Sequence, residues 1–148
     1  MGGEMVDSID QATRSMVMSR VRNKDTRPEM VVRKLVFAAG YRYRLHVKSL
    51  PGSPDLVFSG RKKVIFVHGC FWHLHDNCGL ARMPKSRIEY WSEKLNGNKC
   101  RDQRSFEALT RAGWKVLVIW ECELRNSGDL AQKIRSFLGP PVHSRGDL

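Results

Sequence analysis

The stretch from Val64 to Cys78, VIFVHGCFWHLHDNC, constrains this chain more than any other. It opens as an apolar run, Val64 to Val67, and breaks at Gly69. The eleven residues from His68 to Cys78 then hold three of the chain's five histidines and two of its four cysteines. A short apolar run ended by a glycine turn reads as a buried strand, and strands ending in polar groups carry the sites of many α/β enzymes. Cys70, His75 and Cys78 have the softness and spacing of zinc ligands. His68 and His73 lie off that ligand set and are free for acid–base or phosphate work. Phe71 and Trp72 stand on the same short loop, where a fold rarely places core residues. The competing reading is a closed zinc knuckle with incidental histidines, but such a knuckle needs only four ligands and this stretch has spare groups.

A closed zinc site requires a fourth ligand. Trp114 to Trp120, WKVLVIW, is a continuous apolar run that reads as a fully buried strand, and Glu121-Cys122-Glu123 follows it directly. A sheet placing that strand beside Lys63–Val67 would bring Cys122 to Cys70, His75 and Cys78 as a tetrahedral Cys₃His site. Cys100 is the rival fourth ligand, though it sits in a polar helical stretch. A site without an open position is structural and contributes to folding, here by clipping the aromatic loop to the sheet.

Asp55 is the second feature. It ends the turn LPGSPD (Leu50 to Asp55) and leads into an apolar strand at Leu56-Val57-Phe58. Ser59-Gly60 turns that strand into Lys63–Val67 as a hairpin. A carboxylate at this place can set a hard oxygen ligand beside the imidazoles, which suits Mg²⁺ and phosphodiester hydrolysis. On position alone an ordinary Asx turn after proline explains Asp55 equally well.

Around these features the chain reads as alternating elements. Ser8 and Gln11 form a capping box opening a basic helix to about Arg20, with Met16 and Met18 near its end. Thr26 and Glu29 form a second box, and the helix it opens runs to Ala39, with Gly40 suited to the position after the cap. Tyr41 to His46 alternates like a strand. Ser86 and Glu89 form a third box, opening a helix that Asn96-Gly97 interrupts; a further helix runs from about Asn98 to Ala112. A last helix spans about Gly128 to Leu138, and the Gly-Pro-Pro tail from Gly139 is expected to fray. This order gives an α/β (α+β) domain with a mixed sheet flanked by helices.

At 148 residues the chain is one domain able to bury a core without staples. Twenty-six Lys and Arg against fifteen Asp and Glu give a net charge of +11, which points to a polyanion, most simply nucleic acid. No run approaches the roughly 20 apolar residues of a membrane span, so no membrane is expected. MGGEMVDSID has no secretory pattern, and four cysteines in such a chain suggest metal or free thiols in a reducing cytoplasm.

Leu50 to Asp55, Val64 to His73, Tyr90-Trp91, Asn98, Arg101-Asp102 and Gly113-Trp114 through Trp120-Glu121-Cys122 together resemble the very-short-patch repair (Vsr) mismatch endonuclease family. The likeness covers roughly residues 10 to 125 in the right order, and its HGCFWH and WEC segments are highly specific. It implies a restriction-endonuclease-like fold and a structural zinc. It also implies Mg²⁺-dependent hydrolysis of double-stranded DNA on the 5′ side of the thymine in a T·G mismatch. On that likeness, residues 1–24 form a basic arm, 25–138 the nuclease domain and 139–148 a flexible tail. The expected protein is a monomer on DNA, cytoplasmic and nucleoid-associated when bound, handing its nick to downstream repair proteins.

Roles follow at the matching positions. Asp55 would bind Mg²⁺, with the Val67 carbonyl as the second protein contact. His68 and His73 would act at the scissile phosphate, with Asp102 orienting a histidine and Glu29 a further active-site acid. Phe71, Trp72 and Trp91 would wedge into the base stack, with Met18 entering from the other groove. Lys94 and Asn98 would read the mismatched pair. Given a continuous helix, Trp91, Lys94, Asn98 and Asp102 fall within about 80° of one helix face. The family pattern has threonine where this chain has Val67, a change that leaves a backbone carbonyl in place. Two residues separate His75 from Cys78 where some members have one, a variation zinc loops tolerate. Two other functions compete: a non-catalytic zinc module binding distorted DNA, and a restriction-type nuclease of the same fold that needs no mismatch.

Overall fold

A computed structural model of the chain describes residues 26–141. The expected helix from Ser8 to Arg20 lies outside the described residues, as do Met18 and the tail from residue 142.

Helix α1 (Arg27–Ala38) begins where Thr26 caps it, the threonine hydroxyl accepting the Glu29 N–H at 3.4 Å. Pro28 sits in the first turn, where its missing N–H costs nothing. Val32 and Val36, four residues apart, form its buried stripe. Ala39 caps the C-terminus and Gly40 follows at φ 99°.

Four strands follow: β1 (Arg44–Leu45), β2 (Leu56–Phe58), β3 (Lys63–His68) and β4 (Lys115–Trp120). They lie in that order across one sheet, with β1, β2 and β3 antiparallel and β3 parallel to β4. The β2–β3 hairpin is as expected. Alternation divides the apolar residues between two faces. Leu56, Phe58, Ile65 and Ile119 pack with Val32 and Val36 of α1 and with Leu130, Ile134 and Leu138 of α3 (Ser127–Leu138). On the other face Val57, Val64 and Phe66 pack with Leu109 of α2 (Ile88–Arg111). The result is the expected mixed sheet flanked by helices, with α2 as the crossover that makes β3 and β4 parallel.

Five local expectations are corrected. The strand expected over Tyr41–His46 shrinks to Arg44–Leu45, because Tyr41 is drawn into the core below the sheet. The third capping box does not form: Arg87 stands at the N-cap in the left-handed region with no side-chain cap. Asn96-Gly97 does not interrupt α2, which runs unbroken for 24 residues. Asn96 turns its amide back onto the Ser92 carbonyl at 2.8 Å, and Leu95 and Leu109 anchor the helix on either side. Strand β4 is not fully buried, since it pairs with β3 alone among the described strands and only Ile119 is fully covered. The chain just after α3 is held: Arg61 donates to the carbonyls of Leu138 (2.7 Å) and Pro140 (3.2 Å), and the Tyr41 hydroxyl donates to the Gly139 carbonyl.

Gly52, at φ 76°, turns the LPGSPD segment against α2. A Cβ there would lie 2.8 Å from the Ser105 Cβ and 3.2 Å from the Phe66 ring. Only glycine fits both the conformation and the space, and this close seat carries Asp55 to the head of β2.

Candidate active site and metal centre

Three side-chain clusters gather where β3 ends. The first is Cys70, His75, Cys78 and Cys122, whose ligand atoms all lie within 4.8 Å of one another. The loop folds on itself to achieve this. The His73 N–H donates to the Gly69 carbonyl at 3.2 Å and the His75 N–H to the Cys70 carbonyl at 3.0 Å. The parallel register His68↔Trp120 then places Cys122, two residues beyond β4, against the loop. The Cys122 Sγ lies 3.5 Å from the His75 Nδ1, and the His75 ring stacks on Trp120 at 4.1 Å. Burial pushes the Cys70 thiol up to about 12, a cost that a cation among the sulfurs would reverse. Three thiols and an imidazole converging this closely fit a soft, tetrahedral metal such as zinc. Cys100, the rival ligand, is exposed and outside the cluster.

The second cluster is His68, His73 and Asp102. The imidazoles of His68 and His73 stack at 3.7 Å, tilted by 6°. The Asp102 Oδ2 lies 2.5 Å from the His73 Nδ1 and 4.0 Å from the His68 Nδ1. That contact fixes the His73 tautomer with Nδ1 protonated and leaves Nε2 able to accept a proton. Burial drives the His68 pKa down to about 3, helped by the adjacent His73 and opposed by Asp102. His68 is therefore neutral at physiological pH. Asp102 reaches the histidines because α2 is continuous.

The third cluster is Glu29, His46 and Asp55, also within 4.8 Å. The Asp55 Oδ2 accepts the Val67 N–H at 2.7 Å, so this cluster and the histidine pair meet at adjacent residues of β3. Burial raises the Asp55 pKa to about 7; the Val67 N–H opposes that rise and the nearby Glu29 adds to it. Glu29 is 1% exposed, forms an ion pair with Arg33, and its Oε2 lies 2.6 Å from the His46 Nε2. Two buried carboxyl groups facing one another fit a hard divalent cation such as Mg²⁺. The Arg33 pairing is the i,i+4 pattern readable within α1. His46 is the member that sequence reasoning missed; its only signal was a histidine closing the alternating segment before LPGSPD.

The aromatic residues adjoin these clusters. Phe71 and Trp72 are half-buried, with ring centroids 5.1 Å apart. Trp91 is 4% exposed, 5.6 Å from Phe71 and 6.1 Å from Trp72. Of the three expected wedges Trp91 is the most buried in the free chain, lying against the other two rings. Asn98 donates to the Trp72 carbonyl, while Lys94 is exposed on the same helix.

Residues 6–79 match the family described as DNA mismatch endonuclease Vsr. The chain is 50% identical over 136 residues to the type II nicking enzyme V.XorIIP of Xanthomonas oryzae pv. oryzae, covering 92% of this chain and 99% of that protein. It is 42% identical over 134 residues to the type II nicking enzyme V.NmeAIP of Neisseria meningitidis, covering 90% and 95%. It is 42% identical over 129 residues to the DNA mismatch endonuclease Vsr of Escherichia coli strain K12, covering 87% and 82%.

Proposed function

The chain belongs to the Vsr family and is a DNA endonuclease, and from that premise we propose that it nicks duplex DNA 5′ to the thymine of a T·G mismatch. The reaction is Mg²⁺-dependent phosphodiester hydrolysis that starts very short patch repair. The observation that carries this reading is the Asp55–Val67 hydrogen bond, which joins the carboxylate cluster to the His68–His73–Asp102 cluster beside an aromatic loop. A non-catalytic binding module would have no use for that union.

Asp55 and the Val67 carbonyl would hold Mg²⁺, with Glu29 alongside. A divalent cation held by these residues would supply charge neutralisation at the phosphate and leaving oxygen and would acidify water. The Asp102 carboxylate holds the His73 imidazole by Nδ1, and the His73 Nε2 takes the proton of the attacking water. His68, held neutral by burial, orients a water on the leaving side, and that water gives its proton to the departing 3′ oxygen as the P–O bond breaks. Phe71 and Trp72 enter the base stack, Trp91 supports them, and Met18 enters from the opposite groove. The cost of unstacking is offset by wider contact with a basic surface. Lys94 and Asn98 read the mismatched pair. Cys70, His75, Cys78 and Cys122 hold a structural zinc. The protein acts as a cytoplasmic monomer on DNA and passes its nick to repair proteins.

The test is single-turnover nicking of T·G and matched duplexes, with and without Mg²⁺, beside a mismatch-binding assay. Asp55→Ala and His73→Ala should each lose about 10²–10⁴-fold in rate while still binding the mismatch. Equal cutting of matched DNA would overturn the mismatch reading, and full nicking by Asp55→Ala would overturn the metal assignment.

A further inference from the structure

His46 lies outside every role assigned above, yet three restraints fix its place. The register Leu45↔Leu56 ends β1 beside the start of β2 and sets His46 next to Asp55. The His46 N–H donates to the Asp55 carbonyl at 3.3 Å. Its backbone sits at φ 46°, a left-handed conformation that a non-glycine residue holds only when its surroundings impose it. The side chain is directed at Glu29, with Nε2 2.6 Å from Oε2. Glu29 in turn lies within hydrogen-bonding reach of Asp55.

We propose that His46 is a positioning residue of the divalent-cation site, donating through Nε2 to Glu29 and holding that carboxylate against Asp55. Glu29 faces Asp55 across the site, and donors from two different elements grip its carboxylate. Arg33 supplies one grip from its own helix, one turn along. His46 supplies another from the end of β1, and so ties α1 to the strand bearing Asp55. This arrangement matches the outer partners of metal sites, which orient the carboxylates that meet the ion. The inference rests on reading Asp55 as the cation ligand.

The probe is Mn²⁺, followed by the paramagnetic resonance signal of the free ion in the presence of the full chain. His46→Ala should weaken Mn²⁺ binding by about 10–100-fold, the usual effect of losing such a partner. His46→Leu fills the space without a donor and carries the comparison if the Ala variant does not fold. His46→Gln returns an N–H near the position of Nε2 and should restore most of the affinity. In nicking, the non-donor variants should need more Mg²⁺ yet approach the full rate when it saturates. Unchanged Mn²⁺ affinity in the non-donor variants, or a Gln variant as weak as Leu, overturns the inference. An Asp55→Ala variant that still binds Mn²⁺ overturns the reading of the site itself, and the inference with it.

Discussion

The side-chain amide of Asn98 donates to the main-chain carbonyl of Trp72 at 3.0 Å, fastening the middle of α2 to the tip of the aromatic loop. The Asn98 Oδ1 accepts from Arg101, which holds the amide in this orientation. Losing one such bond costs about 1 kcal/mol, or about fivefold in a local opening equilibrium. Asn98→Ala should therefore speed hydrogen exchange of the His73 and Leu74 amides by about that factor, and weaken mismatch binding. Unaltered exchange at both amides would show that the loop is held by other contacts.

The four-ligand cluster predicts one zinc per chain. Cys70→Ala and Cys122→Ala should lose the metal on elemental analysis and melt at lower temperature, because binding and folding are coupled at a closed site. Cys100→Ala should retain both metal and stability, being exposed and outside the cluster. Zinc lost from Cys100→Ala and kept by Cys122→Ala would transfer the fourth position to Cys100.

Trp72 and Trp91 should separate in two assays. Trp91 is 4% exposed, and truncating a buried tryptophan costs about 3–5 kcal/mol of stability. Trp72 is half-buried, and stacking of an aromatic side chain on a base contributes about 1–3 kcal/mol. Trp72→Ala should thus lose roughly tenfold in mismatch affinity and little in melting temperature, with Trp91→Ala showing the larger loss in urea titrations. Collapse of the fold in Trp72→Ala would make that ring a core residue.

Asp55 and His68 should give opposite dependences of stability on pH. Asp55 is raised from 3.8 to about 7, chiefly by burial, so its contribution is fully present below 3.8 and is lost as pH rises through about 7. His68 is lowered from 6.5 to about 3, also chiefly by burial, so its contribution is present above 6.5 and is lost as pH falls through about 3. Between about pH 4 and 6.5 the two slopes oppose one another. Asp55→Asn removes the first alone, so in Mg²⁺-free buffer this variant should gain stability with rising pH across that window. The limiting slope for one group is about 1.4 kcal/mol per pH unit. A flat profile for Asp55→Asn would contradict a buried neutral His68.

Much of the clustering was readable in advance because its members are close in sequence or follow a strand whose apolar run is plain. Cys122 could be placed from one assumption, that WKVLVIW pairs with VIFV. The errors lie where tertiary contacts outweigh local preference. Asn96-Gly97 is a strong turn signal, yet Leu95 and Leu109 are buried on one helix and hold it straight. Ser86 and Glu89 had capping spacing, but the helix starts at Ile88, too late for the box. The greater burial of Trp91 beside Trp72 is visible only in the packing. His46 was invisible because its partner Glu29 belongs to a helix whose approach to the sheet no local pattern reveals.

The unbroken α2 has one more consequence. Trp91, under the aromatic rings, and Asp102, on His73, are eleven residues apart on one rod, about 16 Å at 1.5 Å per residue. On the proposed function the helix would be a gauge, with the disturbed base step at one mark and the bond to be cut at the other. Lengthening a surface loop leaves those marks where they are. A single residue inserted between Asn98 and Asp102 would swing the carboxylate about 100° around the rod and off His73, leaving a protein that still finds its place on DNA with nothing to measure the cut from it.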